Sequence, residues 1–309
     1  MGPMGHPGIE VITSFLAGSG LSAASIAEQR EAMAGMAADA PAPPGVVVDT
    51  ASLGGCAAEW ITPEGGGNGG TVLYLHGGGY CIGSLDTHRA LGARLARSSG
   101  TAVVTLDYRL APEHPHPAAV DDAVAAYGDL LATGIDPART AIAGDSAGGG
   151  LTVATLLSLR AAGTPLPAAA VCLSPWVDLT QSSDAFDRVG TLDPMVSRAG
   201  LDLMAEAYLG GAGARTVLAS PLFAEDLAGL PPVMIEVGEV EVLLDDATAL
   251  ADRLRTSGVE VSLTVWPEMI HVFQAFPGEL LPEADRSIAA VGEFLSDRIG
   301  RPTTGAGPG

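Results

Sequence analysis

The chain is short of positive charge, of cysteine and of long apolar runs, and each shortage removes a class of function. It has 15 Lys and Arg against 36 Asp and Glu, a formal net charge of -21. A surface of that sign repels phosphate backbones and anionic headgroups, so neither nucleic acid nor membrane is an expected partner. The acidic excess reads as a solubility device, and a neutral small molecule suits it better than a polyanion. Cysteine is confined to Cys56, Cys81 and Cys172. Odd in number, far apart and without a C-x-x-C spacing, they speak against a disulfide framework or a zinc site and fit a reducing cytoplasm. The opening MGPMGHPGIEVITSFLAGSG lacks a basic n-region, and no apolar run reaches the length of a membrane span. Export and insertion are therefore not expected, and the location reads as cytoplasmic. Charged residues make up only 17% of the chain and hydrophobic ones 47%, the balance of a packed globule rather than a disordered polymer.

The 309 residues suffice for one large domain that buries most of its apolar surface. Residues 1–45 carry helical patches such as SAASIAEQREAMAGM before the loop PAPPG and read as an N-terminal helical cap arm. From Val46 onward, β-branched runs alternate with Ala/Leu-rich amphipathic segments. The runs are TVLYL (71–75), AVVTL (102–106), TAIA (140–143), AAVCL (169–173), PVMIEV (232–237) and VSLTVW (261–266). That alternation predicts an α/β domain over 46–300, with a mostly parallel sheet covered by helices on both faces. EGGGNGG (64–70) reads as a flexible loop. Residues 182–216 have helical patches without a buried-strand run and read as an inserted cap. The tail RPTTGAGPG (301–309) reads as disordered.

Chemistry concentrates at three places. Gly144-Asp145-Ser146-Ala147-Gly148 follows the strand TAIA and precedes a helix, the context of a G-x-S-x-G nucleophile elbow. The flanking glycines remove the side chains that would collide in so sharp a turn, leaving the Ser146 hydroxyl above the sheet. Taken alone, the pentapeptide could equally be a glycine-rich turn with a capping serine. His76-Gly77-Gly78-Gly79 follows the strand TVLYL, and bare glycines let backbone amides reach a substrate carbonyl oxygen. With it, coincidence is a poor account of the pair, and Gly78, Gly79 and Ala147 are the expected oxyanion donors. A serine nucleophile also needs a histidine and an acid, in the chain order serine, acid, histidine. Of six histidines only His271 lies beyond Ser146. The acid must come from VGEVEVLLDDA, which offers Glu239, Glu241, Asp245 and Asp246. Asp245 and Asp246 open a helix, where first-turn acids complement the dipole and face solvent. Glu241 occupies the strand-to-helix loop and is preferred.

HGGGYCIGS, DYRLAPEHPHPAAVDD, GDSAGG and the C-terminal histidine loop resemble the bacterial hormone-sensitive-lipase-like esterases over roughly residues 45–298. The resemblance implies an α/β-hydrolase fold with a helical cap, acting on esters of short to medium acyl chains, with no cofactor and no metal. It also implies a homodimer. The family's acid usually lies three residues after a glycine, often as Asp-Pro-Leu. Gly238 plus three gives Glu241, here followed by Val-Leu, with Asp245 as the fallback. Asp193-Pro194-Met195 imitates that triplet but precedes the strand that should carry the acid, so it is rejected as catalytic; the resemblance implies that its segment, with Met195, belongs to the wall of the pocket or cap, the other reading being a turn that opens a cap helix. Tyr80 is expected to shape the acyl pocket and Trp176 to lie near its floor. Asp145 has two readings, a bond to the HGGG loop or cap, and a plain turn residue. His114 and His116 belong to a structural bend rather than a metal site. Two rivals remain open: an amidase or peptidase with the same triad, and a noncatalytic small-molecule receptor on this scaffold.

Overall fold

The computed structural model describes residues 7–20, 24–38 and 42–300. The tail 301–309, expected to be disordered, and parts of the N-terminal arm lie outside the described residues. Eight strands form one sheet in the order β1-β2-β4-β3-β5-β6-β7-β8. The six β-branched runs become β3 (Thr71–Leu75), β4 (Ala102–Leu106), β5 (Thr140–Asp145), β6 (Ala169–Leu173), β7 (Val233–Gly238) and β8 (Val261–Trp266), all paired in parallel.

Two strands were not among the expected runs. β1 (Val46–Leu53) and β2 (Cys56–Pro63) form an antiparallel hairpin, and β2 joins the sheet antiparallel to β4. Gly54 and Gly55 make its two-residue turn with φ of 59° and 83°, the left-handed pair such a hairpin demands. β1 lies at the sheet edge and is half exposed along its length, which explains polar residues such as Asp49 and Thr50 in a strand.

The parallel strands alternate between two faces, as a period of two requires. Leu73, Leu75, Val104 and Ile142 point into a core shared with α4 (Ala118–Ala132), α5 (Ala147–Ala162) and α8 (Leu244–Thr256). Val72, Tyr74, Val103 and Ala141 point the other way, against α3 (Leu85–Ser99) and α9 (Pro282–Leu295). The remaining helices gather around the C-terminal ends of the strands. α1 (Pro7–Ser19) packs Ile9 and Ile12 against Met269, Ile270 and Phe273. α2 (Ile26–Ala38) is clamped by Arg30, which donates to Cys81 O, Ala111 O and the Glu113 carboxylate. Residues 182–216 hold α6 (Ala185–Val189) and α7 (Arg198–Leu209). Among the described residues no helix is long and apolar enough to cross a membrane.

Candidate active site

In a parallel sheet the loops at the carboxyl ends of the strands converge, and ligand sites form among them. β5 ends at Asp145, and Ser146 follows with φ of 53° before α5 begins. A positive φ at a non-glycine residue is strained backbone, kept where the surroundings over-determine it. Here the Ser146 N–H donates to Leu173 O at 2.8 Å and the Ser146 O accepts from Trp176 N–H at 2.9 Å. Close packing fixes the rest of the turn: a Cβ on Gly148 would stand 1.9 Å from Leu75 O.

β3 delivers the second element. His76 donates within its own loop, from Nδ1–H to Gly77 O at 2.7 Å. Burial, with His88 nearby, holds His76 far below the ordinary histidine value, at about 3, so this ring is neutral and structural. Gly78 and Gly79 line a cavity of about 270 Å³ together with Ser146 and His271. Among the described residues neither glycine N–H is spent on a backbone acceptor. Gly79 has φ of 59°, and a Cβ there would stand 2.0 Å from Met204 Sδ, so the loop approaches the cavity as bare backbone. The Ala147 N–H heads α5, where the first amides of a helix lack intrahelical acceptors.

His271 and Glu241 come from the loops after β8 and β7. His271 Nδ1 and Glu241 Oε2 are 2.6 Å apart, both groups buried. The other carboxylate oxygen, Oε1, accepts from Gly238 N–H at 2.6 Å and from Ser174 Oγ–H at 2.7 Å. Burial pushes the His271 imidazole down, but Glu241, with Asp193 and Asp145 adding to it, carries the ring above the ordinary histidine value. A carboxylate on Nδ1 fixes the tautomer and leaves Nε2 as the reactive nitrogen.

The other three acids go elsewhere. Glu239 accepts from Glu268 N–H. Asp245 pairs with Arg188 and accepts from Ser183 Oγ and Ala185 N–H. Asp246 does not face solvent as a first-turn acid was expected to: it is 2% exposed and takes the N–H groups of Val177 and Asp178 on Oδ2. The dipole rule places an acid at that end of the helix but says nothing about which face is covered. The carboxylate of Asp193, in the triplet that imitates the acid motif, caps its own turn through Met195 N–H and Val196 N–H. Its other oxygen takes Val242 N–H, one residue beyond Glu241.

Of the expected pocket residues, Met195 and Asp145 line the cavity. Asp145 binds the HGGG loop, accepting from Gly77 N–H at 3.1 Å and from Tyr74 Oη at 2.7 Å, with His88 Nε2 at 3.5 Å. Tyr80 and Trp176 are almost fully buried and lie outside the residues that line the cavity. Tyr80 stacks on Tyr208 at 3.8 Å and tilts against Trp176 at 6.1 Å. His116 turns toward the Tyr208 hydroxyl at 3.2 Å.

Sequence reasoning missed the wall supplied by α2, α3 and α7, namely Gln29, Met33, His88, Leu201 and Met204, because helix faces acquire a cavity only through packing. It also missed Ser174. That residue had a signal: a serine before a proline at the carboxyl end of β6, where the loops meet.

Residues 72–275 match the family model described as the α/β-hydrolase fold. A relative from Streptomyces hygroscopicus named acetyl-hydrolase is 49% identical over 258 residues, 84% of each chain. A relative from Acinetobacter venetianus named esterase is 36% identical over 73% of this chain and 74% of its own. Among solved structures, an esterase of the bacterial hormone-sensitive lipase family superposes with a TM-score of 0.90 at 45% identity, covering 95% of this chain and 98% of the other.

Proposed function

This chain belongs to the α/β-hydrolase-fold family and, within it, to the bacterial hormone-sensitive-lipase esterases, and on that premise we propose that it hydrolyses carboxylic esters of short to medium acyl chains through Ser146, His271 and Glu241. The observation that carries the triad is the 2.6 Å contact between His271 Nδ1 and Glu241 Oε2, with His271 and Ser146 lining one cavity.

Ser146 Oγ attacks the ester carbonyl carbon while His271 Nε2 takes its proton. Glu241 stabilises the imidazolium so formed, and the N–H groups of Gly78, Gly79 and Ala147 receive the oxyanion. Collapse expels the alcohol, protonated by His271, and leaves an acyl group on Ser146. Water, deprotonated by His271, attacks that acyl-enzyme; the bond to Ser146 Oγ breaks, Ser146 recovers its proton from His271, and the carboxylic acid is released. No step calls for a metal or cofactor. His271 works as a base only when neutral, so kcat/KM falls as pH drops through its pKa, and the raised value moves that acid limb to higher pH than an ordinary histidine would give.

The test is turnover of p-nitrophenyl esters from acetate to palmitate, with the matching anilides alongside. Ester turnover that declines with chain length and drops by about 10⁴-fold or more in Ser146→Ala supports the reading. Faster anilide than ester turnover would move the protein to the amidases, and unimpaired Ser146→Ala would remove the nucleophile.

A further inference from the structure

We infer that Ser174 is a positioning residue of the hydrolytic machinery, holding the acid and the histidine loop in register with the nucleophile; the inference rests on the triad reading above. Ser174 lies at the carboxyl end of β6, fully buried, with φ of 46°. Its hydroxyl donates to Glu241 Oε1 at 2.7 Å and accepts from Val272 N–H at 3.1 Å. A single oxygen therefore joins the acid to the residue that follows His271. Its backbone N–H donates to Glu236 O at 2.7 Å, which ties the same turn to β7, the strand that leads to Glu241.

The residues on either side bind the nucleophile. Leu173 O accepts the Ser146 N–H, and Trp176 N–H donates to Ser146 O. The four-residue turn 173–176 thus touches the serine elbow, the acid loop and the histidine loop at once, and only the Ser174 hydroxyl reaches the last two. Strain gathers at the same place. Ser146, Ser174 and Val272 all have φ between 45° and 53°, and for a β-branched residue such as Val272 that region is a genuine outlier. Strained backbone persists where neighbouring bonds over-determine it, and the bond from Val272 N–H to Ser174 Oγ is such a bond.

The geometry on Glu241 explains what the hydroxyl does. With Gly238 N–H and Ser174 Oγ–H both on Oε1, the carboxylate is held from one side and Oε2 is left to face His271 Nδ1. Without the hydroxyl, one oxygen loses a charge-assisted donor and the chain after His271 loses its anchor. The effect falls on orientation of the base, which is felt in kcat, and not on the cavity wall, to which Ser174 does not contribute.

Two variants separate the hydroxyl from the backbone. Ser174→Ala deletes the hydroxyl; Ser174→Gly deletes it while relieving the positive φ. Both should lower kcat on a short-chain p-nitrophenyl ester by about 10- to 100-fold, with KM changed by less than about threefold. In a Glu241→Ala background the same substitutions should cost several-fold less than in the wild type, because the part that acts through Glu241 is already gone and only the anchor on Val272 N–H remains to be lost. Wild-type turnover by Ser174→Gly, or the full loss repeated in the Glu241→Ala background, overturns the inference and makes Ser174 a structural residue. Wild-type turnover by Glu241→Ala alone would instead remove the acid from the triad, and the inference with it.

Discussion

Two histidine–carboxylate pairs bear on the same cavity, and they are built for different work. His271 and Glu241 meet at 2.6 Å through Nδ1, and among the described residues Nε2 has no hydrogen-bond partner. His88 and Asp145 meet at 3.5 Å through Nε2, while His88 Nδ1 lies 2.8 Å from Thr87 Oγ1. Both nitrogens of His88 are occupied, so it has no free site for a substrate proton. Asp145 is likewise committed to Tyr74 Oη and Gly77 N–H. Although burial alone would raise its pKa, His88 and the Tyr74 hydroxyl lower it, which keeps the loop anchor ionised. The lesson is that a buried histidine beside an acid is a base only where one ring nitrogen is left open toward the substrate.

The largest expected contrast is between the two histidines. His271→Ala should cut kcat/KM on p-nitrophenyl acetate by about 10⁴-fold or more, and His88→Ala by no more than about tenfold. Equal losses would mean that the open nitrogen does not distinguish the pairs. Next come the acids. Glu241→Ala should lower kcat by about 10³-fold or more. Asp245→Ala should stay within about twofold, since its pairing with half-exposed Arg188 contributes at most about 1 kcal/mol to stability. The reverse ranking, measured on folded variants, would transfer the acid to Asp245.

Smaller still is the cost of losing the loop anchor. Asp145→Ala strands two buried donors, Tyr74 Oη and Gly77 N–H. We expect stability to fall by about 2–4 kcal/mol in urea unfolding and kcat by about 10- to 100-fold through misplacement of Gly78 and Gly79. An unchanged kcat with the stability loss intact would make Asp145 a fold residue alone.

These comparisons also show what could be read from the chain and what could not. The GDSAG turn, the HGGG loop and His271 stood out because each is a local pattern at the end of a strand run, and position narrowed the candidate acids to four residues. Loop position and the spacing from Gly238 favoured Glu241, but the fallback could be set aside only in three dimensions: Asp245 is drawn off by Arg188 and Ser183, and no spacing announces that. The hairpin of β1 and β2 was illegible for another reason. An edge strand half in water carries polar residues and loses the apolar run by which the central strands declare themselves. The burial of Tyr80 and Trp176 was not legible, because an aromatic next to a motif looks the same in sequence whether it faces a cavity or the core.

Asp246 completes the comparison as a buried carboxylate with no histidine beside it. Burial outweighs the N–H groups of Val177 and Asp178 on Oδ2 and, with Asp178 nearby, pushes its pKa up to about 8. In the unfolded chain the group titrates at about 4. The folded state therefore holds one extra proton between those values, and stability contributed below about pH 4 is lost as pH rises toward 8. Asp246→Asn keeps an acceptor for both N–H groups and carries no charge to bury. Turnover should be unchanged, while urea midpoints measured from pH 5 to pH 9 should decline less steeply in the variant than in the wild type. Parallel declines would mean that Asp246 stays ionised without a cationic partner, so that two backbone donors alone can do for a buried carboxylate what His88 and Tyr74 together do for Asp145.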